Sequence, residues 1–212
     1  MRRTKEEAEK TRVAILASAE LLFLERGVAH TSLDQIARHA GVTRGAVYWH
    51  FQNKAHLFHE MLCQVRLPPE QMAERLSSQQ GAGSLQVLWE MCLEALLLIC
   101  HDERKRRIFT ILLHRCEFTE ELREAEERHH EFIQQFLHLC EQLIIKAQHP
   151  LQGSLSPRTA TMAIHSMLVG MMTNLTSVGY SPCSDNDLEQ VVDSAFRGVF
   201  LNWKAPQRTL QI

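Results

Sequence analysis

Glycine and proline are scarce in this chain of 212 residues, which has nine glycines and six prolines. The intervals between them are long, and their apolar residues recur with helical rather than alternating spacing. Short β-branched runs bounded by turn residues, which are typical of strands, are also few. The sequence therefore predicts an all-α fold of nine to ten helices and gives little support for a sheet.

Long apolar runs and paired cysteines are missing as well. The longest apolar stretches, such as residues 96–100 and 167–172, are far shorter than the roughly 20 residues that a membrane-spanning helix needs. The amino terminus is charged and no apolar segment follows it at signal-peptide distance, so we expect a cytoplasmic protein with no membrane partner. The six cysteines form no C-x-x-C motif and are expected to be reduced thiols, mostly in the core.

A strong net charge is absent too, since the formal net charge is only −2. The average hides an asymmetry along the chain. Residues 1–66 hold ten Arg and Lys against seven Asp and Glu, whereas residues 67–212 hold thirteen against eighteen. A mildly basic first third on an acidic body indicates that only the first third contacts a polyanion.

Residues 31–54 contain two short predicted helices joined by a tight turn at Gly41. Their apolar residues are spaced to pack one face of each helix against a preceding long helix, predicted over residues 5–26. These apolar residues are Leu33, Ile36, Ala37, Val42 and Val47. This is the layout of a helix-turn-helix, in which the second helix enters the major groove of DNA.

The second helix of the pair has an unusual composition for a surface helix. Arg44 and Gly45 lie in its first turn, and Tyr48, Trp49 and His50 follow. Aromatic side chains are unfavourable to expose unless a partner binds there. Gly45 lacks a side chain and so permits close approach of this turn to DNA, at some cost in helix propensity.

Three segments resemble a known family. T-S-L-D-Q-I-A-R-H-A-G-V-T-R-G-A-V-Y-W-H-F-Q-N-K, residues 31–54, resembles the helix-turn-helix of TetR-family transcriptional repressors. R-R-T-K-E-E-A-E-K-T-R, residues 2–12, and H-R-C-E-F, residues 114–118, resemble the AcrR-like branch of that family, which regulates multidrug efflux. The resemblance covers residues 2–135 well and the remainder loosely.

The resemblance implies a ligand-responsive, DNA-binding repressor of an efflux operon. It implies a helix-turn-helix DNA-binding domain over residues 1–53 and a ligand-binding and dimerisation domain over residues 54–212. The homodimer would form through the last two predicted helices, residues 157–178 and 185–203. Small residues on one face of the first of these, Ala160, Ala163, Ser166 and Gly170, permit close helix approach. No cofactor is expected.

The candidate DNA-binding residues have different predicted roles. Arg44 is the candidate for reading a base edge, because a guanidinium can bond guanine with two parallel hydrogen bonds. The resemblance turns Tyr48 and Trp49 toward DNA, and Phe51 is expected in the core. The predicted phosphate contacts are Thr31, Ser32, Thr43, Tyr48, His50 and Lys54. Arg2, Arg3 and Lys5 form either an arm along the DNA backbone or a frayed terminus.

A pocket for drug-like compounds needs apolar, adaptable walls with a few polar groups. The apolar candidates are Met61, Trp89, Met91, Leu96, Phe109, Leu113, Phe132, Phe136, Leu168, Met171 and Met172. The polar candidates are Arg106, His129, His165 and Asn174. Each apolar candidate has plain core packing as its alternative. A bound ligand is expected to shift the helix predicted over residues 54–66 and so change the spacing of the two recognition helices in the dimer.

Two other function classes have some basis in the sequence. His56, His59 and Cys63 share one face of the helix over residues 54–66, and imidazole with thiolate suits zinc or copper, so a metal-sensing repressor is the alternative. An enzyme has little support, because the chain contains no G-x-S-x-G, no H-E-x-x-H and no Gly-rich phosphate loop.

Overall fold

The computed structural model describes residues 5–67, 69–78, 82–180 and 183–206. Over these residues the chain forms ten α-helices and one short 3-10 helix. Across the same ranges no strand is found, apart from an isolated bridge between Leu151 and Phe200. The predicted all-α fold is confirmed.

The predicted helices are found close to their expected bounds. In chain order they are α1 (Lys5–Arg26), α2 (Leu33–His39), α3 (Arg44–His50), α4 (Lys54–Cys63), α5 (Pro69–Ser77), α6 (Ala82–His101), α7 (Glu103–His114), the 3-10 helix (Glu120–Leu122), α8 (Arg123–Ala147), α9 (Pro157–Thr176) and α10 (Asp185–Val199).

The chain divides into two compact units. The first comprises Met1–Arg66 and Arg104–Glu131, and the second comprises Leu67–Glu103 and Phe132–Ile212. The domain boundary predicted after residue 53 lies inside the first unit, so the compact units do not themselves mark a functional border. The assignment of DNA binding to residues 1–53 stays a prediction.

Local capping explains where the short helices of the first unit begin. Ser32 caps α2 through a capping box, since its hydroxyl accepts from the Gln35 N–H while the Gln35 side chain accepts from the Ser32 N–H. The Thr43 hydroxyl caps α3, and the Asn53 side chain caps α4. Gly41, with φ of +65°, makes the tight turn in a conformation that disfavours side chains.

The first unit has its own apolar core, to which α1, α2, α3, α4 and α7 contribute. Val47 and Phe51 are buried there, as predicted for Phe51, and they fix α3 and the residue that caps it. A buried carboxylate also holds α7: Glu20 is 3% exposed and receives Arg104 Nη2 at 2.6 Å. A buried charge is tolerated only with such a partner.

The second unit packs α6, α9 and α10 around another core. By length and composition α6 qualifies as a membrane span over Gly83–His101, contrary to our expectation from the apolar runs. Half of this segment is buried within the protein. Core positions of α6 such as Leu88 and Leu96 account for its apolar character.

The cysteines and the last helix differ in part from expectation. All six cysteines are free, but only Cys92 and Cys140 are buried.

The last helix ends at Val199, earlier than predicted. The chain there turns to bond the segment after α8: the Gln152 N–H donates to Val199 O at 2.9 Å, and the Leu201 N–H donates to Pro150 O at 2.8 Å.

Candidate nucleic-acid interface and ligand site

The outer face of α3 is aromatic and open to solvent. Val47 anchors the helix in the core, which leaves Tyr48 45% exposed and Trp49 73% exposed on the other side. The Trp49 ring meets the His50 ring edge-on, with centroids 4.5 Å apart. A short, firmly packed helix that presents large aromatic side chains to solvent is suited to binding a partner surface.

Arg44 stands at the start of this face and is held by two neighbours. Its Nε lies 3.1 Å from Asp34 Oδ1, and its guanidinium lies over the Tyr48 ring at 5.4 Å. The hydrogen bond that Arg44 donates to the Tyr48 hydroxyl, followed by the Asp34 charge, raises the pKa of Arg44 above its ordinary value. The Arg44 side chain is therefore positively charged at physiological pH, and it lies at the start of α3.

Gly45 has no steric reason to be glycine within the protein. A Cβ built there would have Thr43 Oγ1 as its nearest neighbour, at 3.9 Å, which is ordinary contact. Thr43 and Ser32 are exposed caps, so their hydroxyls lie at the surface. Of the proposed arm, Arg2 and Arg3 lie outside the described residues and Lys5 begins α1.

An open concavity of about 370 Å³ brings several of the predicted contacts together. Five of the nine predicted DNA-binding residues line it: Thr31, Ser32, Arg44, Tyr48 and Lys54. The other four, Thr43, Gly45, Trp49 and His50, lie along α3 and at its cap. The predicted set thus forms one continuous region of the first unit.

Two members of this set have buried side chains, and for one of them, Thr31, the predicted phosphate contact needs correction. Thr31 is 1% exposed, and its hydroxyl donates to Gly27 O at 2.8 Å, so it is not available to a phosphate. Lys54 is 3% exposed, and its ammonium donates to the carbonyls of Ala29 and Thr31. Both residues fix the segment that leads into α2.

Two acidic residues that no sequence pattern indicates also contact this region. Glu121, in the 3-10 helix, lies 2.7 Å from Lys54 Nζ and also lines the concavity. Glu124, in the first turn of α8, accepts from Asn53 Nδ2 at 3.3 Å. Both contacts join residues that are far apart in the chain, so no local pattern could reveal them.

The fifteen predicted ligand-binding residues do not all fall in one compact unit. The first unit holds Met61, Arg106, Phe109, Leu113 and His129. The second unit holds Trp89, Met91, Leu96, Phe132, Phe136, His165, Leu168, Met171, Met172 and Asn174. Met61 is completely buried in the core of its unit, whereas Arg106 and Asn174 are exposed.

The second unit contains buried polar atoms that lack partners. Among the described residues, Trp89 Nε1, Thr161 Oγ1 and His165 Nε2 have no hydrogen-bond partner. Thr161 and His165 are one helical turn apart on α9, and the Phe136 ring lies 6.0 Å from the His165 ring. Burial lowers the pKa of His165, so its imidazole is neutral near pH 7. Thr161 was missed from the sequence, where a threonine inside a helix carries no signal.

His129 belongs to a different cluster, in the first unit. Its Nδ1 is hydrogen-bonded to the Arg66 guanidinium, and its ring stacks on Phe118 with centroids 6.2 Å apart. Burial, and next the Arg66 charge, lower the pKa of His129 to about 4. The imidazole is therefore neutral at physiological pH and serves as the acceptor for Arg66.

Helix α9, the first of the two helices predicted to form the dimer, exposes an apolar face. Met162 is 55% exposed and Val169 is 36% exposed, and the small residues Ala163, Ser166 and Gly170 are exposed on the same helix. Ala160, which was predicted to belong to this face, is instead buried in the core of the second unit.

The three residues of the metal-sensing alternative are only partly brought together. His59 Nε2 lies 3.4 Å from Cys63 Sγ, but His56 Nδ1 instead accepts from the Gln52 N–H. Glu60 replaces His56 as the third potential ligand atom, within 4.8 Å of the other two, and its carboxylate is ion-paired with Arg12. The metal-sensing alternative with His56, His59 and Cys63 therefore has no support.

Comparisons with known proteins agree with these observations. Residues 15–61 match the family described as "Bacterial regulatory proteins, tetR family", and residues 83–197 match "MAATS-type transcriptional repressor, C-terminal region". The chain is 37% identical over 174 residues to the HTH-type transcriptional repressor BepR of Brucella suis biovar 1 (strain 1330), a match that covers 81% of this chain and 83% of BepR.

Two solved structures are similar over most of the chain. NalD, the secondary repressor of the MexAB-OprM multidrug efflux pump in Pseudomonas aeruginosa, is 54% identical with a TM-score of 0.87, covering 94% of this chain and 100% of that one. A complex of SmeT with triclosan is 28% identical with a TM-score of 0.79, covering 94% and 96%. SmeT is described as the repressor of the Stenotrophomonas maltophilia multidrug efflux pump SmeDEF.

Proposed function

Because the chain belongs to the TetR family of bacterial regulatory proteins, we propose that it represses a multidrug efflux operon and leaves its operator when a hydrophobic drug-like compound binds. The observation that carries the DNA-binding part is the exposed face of α3, where Tyr48 and Trp49 stand beside the Arg44 guanidinium. The efflux part is supported by the similarity to NalD and SmeT, which are repressors of multidrug efflux pumps.

On the DNA, α3 enters the major groove and the surrounding caps contact the backbone. Arg44 leaves Asp34 to read a guanine edge, and Tyr48 and Trp49 contact the backbone and base methyl groups. Ser32 and Thr43 donate their exposed hydroxyls to phosphates. Of the nine predicted residues, Thr31 is used inside the fold and the Lys54 ammonium is covered by Glu121, whereas the other seven are at least partly exposed.

The ligand is proposed to bind in the second unit, near the three buried polar atoms that lack partners. Buried polar groups without a hydrogen bond are costly, typically by about 1–3 kcal/mol each, so a ligand that supplies the missing partner gains that energy. The indole N–H of Trp89 suits an acceptor, and the Thr161 hydroxyl suits either role. Phe136 and the methionines of α9 provide apolar walls. The bound triclosan of SmeT, a relative of the same fold, supports a ligand of this kind.

The active form is proposed to be a homodimer through α9 and α10. Two recognition helices about 34 Å apart are needed to contact successive major grooves, which one chain does not provide. The exposed apolar and small residues of α9 offer a surface that a second copy of the chain would cover. The family consists of transcriptional regulators, and we propose that this chain acts by binding alone, in the cytoplasm and without catalysis.

Fluorescence anisotropy on the DNA upstream of the protein's own gene and of neighbouring pump genes tests the DNA-binding part, at fixed salt. Trp49→Ala should weaken binding about fivefold or more, because aromatic contacts are typically worth about 1 kcal/mol or more. Tyr180→Ala truncates an exposed aromatic residue of the second unit and should leave affinity unchanged. No selective binding to any of these DNAs would contradict the proposal.

The ligand part is tested by adding a panel of hydrophobic antibiotics to the bound DNA. Thr161→Val removes a hydroxyl without a partner, so it should raise the antibiotic concentration needed for release. Thr176→Val is the matched control, since that hydroxyl already donates to Met172 O at 2.8 Å on the same helix. Release that is unaffected by Thr161→Val, or that responds equally to both variants, would contradict the proposed site.

A further inference from the structure

The Lys54 ammonium has three N–H donors, and each has an acceptor in this structure. The carbonyl oxygens of Ala29 and Thr31 lie 3.3 Å and 3.1 Å from Nζ, and Glu121 Oε2 lies at 2.7 Å. The two carbonyls belong to the backbone that leads into α2. Glu121 differs from them, because its side chain is 60% exposed and comes from the 3-10 helix before α8.

Lys54 and Glu121 meet at the wall of the open concavity beside α3. Arg44, Tyr48 and Ser32 line the same concavity, so the Glu121 carboxylate stands among residues proposed to contact DNA. A carboxylate oxygen and a phosphate oxygen are both anionic acceptors, and both bind an ammonium at about 2.7–2.9 Å. A phosphate that approaches this wall therefore meets the Lys54 ammonium, which is already bound to the Glu121 carboxylate.

We propose that Glu121 is a built-in competitor of the DNA backbone for Lys54. Its carboxylate occupies the donor that a phosphate oxygen takes in the complex, and it must be displaced when DNA binds. The inference rests on the proposed function, since it assumes that the α3 face contacts DNA. The competition lowers affinity for every sequence alike, because phosphate contacts carry no base information. Glu121 lies two residues before α8, so the position of that helix sets how well the carboxylate competes.

Glu121→Gln tests the competition directly. The amide keeps the size of the side chain and an oxygen acceptor for Lys54, but it carries no charge and binds the ammonium less strongly. DNA affinity should therefore rise about three- to fivefold, the scale of one partly exposed ion pair. The rise should be the same on the protein's own promoter and on an unrelated duplex, both measured by anisotropy at one low salt concentration.

Glu120→Gln is the matched control. It removes the same charge one residue earlier, but Glu120 is 85% exposed and pairs with Arg123 at 3.1 Å instead of Lys54. It should leave affinity nearly unchanged. Equal gains in the two variants would mean that net charge alone is responsible, which overturns the proposal. An unchanged or weaker affinity in Glu121→Gln would mean that the contact supports the DNA-binding conformation, which also overturns it.

Repeating the Glu121→Gln measurement in a Lys54→Met variant separates the contact between Glu121 and Lys54 from other effects of Glu121. In Lys54→Met, the Glu121→Gln gain should disappear, and a gain that persists in the double variant overturns the proposal. Thermal unfolding of each variant establishes that it is folded before DNA is added. If the wild-type protein binds no promoter selectively, the proposed function fails, while the comparison on the unrelated duplex still decides whether Glu121 competes with phosphate.

Discussion

Gly45→Ala separates the needs of the fold from the needs of DNA binding. Inside the protein the new methyl group meets nothing closer than Thr43 Oγ1 at 3.9 Å. Glycine in a helix is also less favourable than alanine, by up to about 1 kcal/mol. The variant should therefore be more stable, with a melting temperature higher by about 2–4 °C for a chain of this size.

On DNA the same methyl group should be unfavourable. If the first turn of α3 lies against the DNA backbone, an added methyl group overpacks the contact, which typically costs about 1–3 kcal/mol. By the usual conversion, this is a loss of affinity of about 5- to 150-fold. Fluorescence anisotropy with promoter DNA measures the affinity, and thermal unfolding of the same preparation measures the stability.

The two measurements should thus move in opposite directions. Gly83→Ala provides the control, because Gly83 is also the second residue of its helix, α6, in the other compact unit. It should leave operator affinity unchanged. A Gly45→Ala protein that is stabilised and still binds its operator like the wild type would refute close approach of this turn to DNA.

Substitutions at Arg44, Thr31 and His129 test contacts elsewhere in the first unit. Arg44→Ala should lower operator affinity by about 1–3 kcal/mol and relax preference at one base pair, as measured on a set of single-base operator variants. Thr31→Val should lower the free energy of unfolding by about 1 kcal/mol, through loss of the hydrogen bond to Gly27, and leave operator affinity unchanged. For His129, whose pKa falls to about 4, the unfolded chain binds the extra proton below pH 6.5, so stability declines as pH falls from 6.5 to 4. His129→Gln should make that decline shallower in urea unfolding at pH 7 and pH 5, and an unchanged slope would show that His129 is not its source.

The sequence alone determined the elements and the motif, because both depend on neighbours within a few residues. Helix caps are local: Ser32 acts on Gln35, Thr43 on Ala46 and Asn53 on His56, each within three residues. The spacing of apolar residues placed Val47 on the buried side of α3 for the same reason, whereas the outward orientation of Trp49 was implied by the resemblance to the TetR family.

Only the tertiary structure decided which of the polar side chains are available. Thr31 looks like a phosphate contact in the sequence, yet the fold turns it inward, and the Lys54 ammonium is paired with Glu121. The residues that meet the start of α4 arrive from far along the chain: Asn53 and Glu124 are 71 residues apart. The three unpartnered polar atoms of the second unit likewise come from α6 and α9. Such pairings depend on how distant helices pack, and the charge or hydrogen-bonding capacity of a residue in the sequence does not say whether another part of the chain will satisfy it.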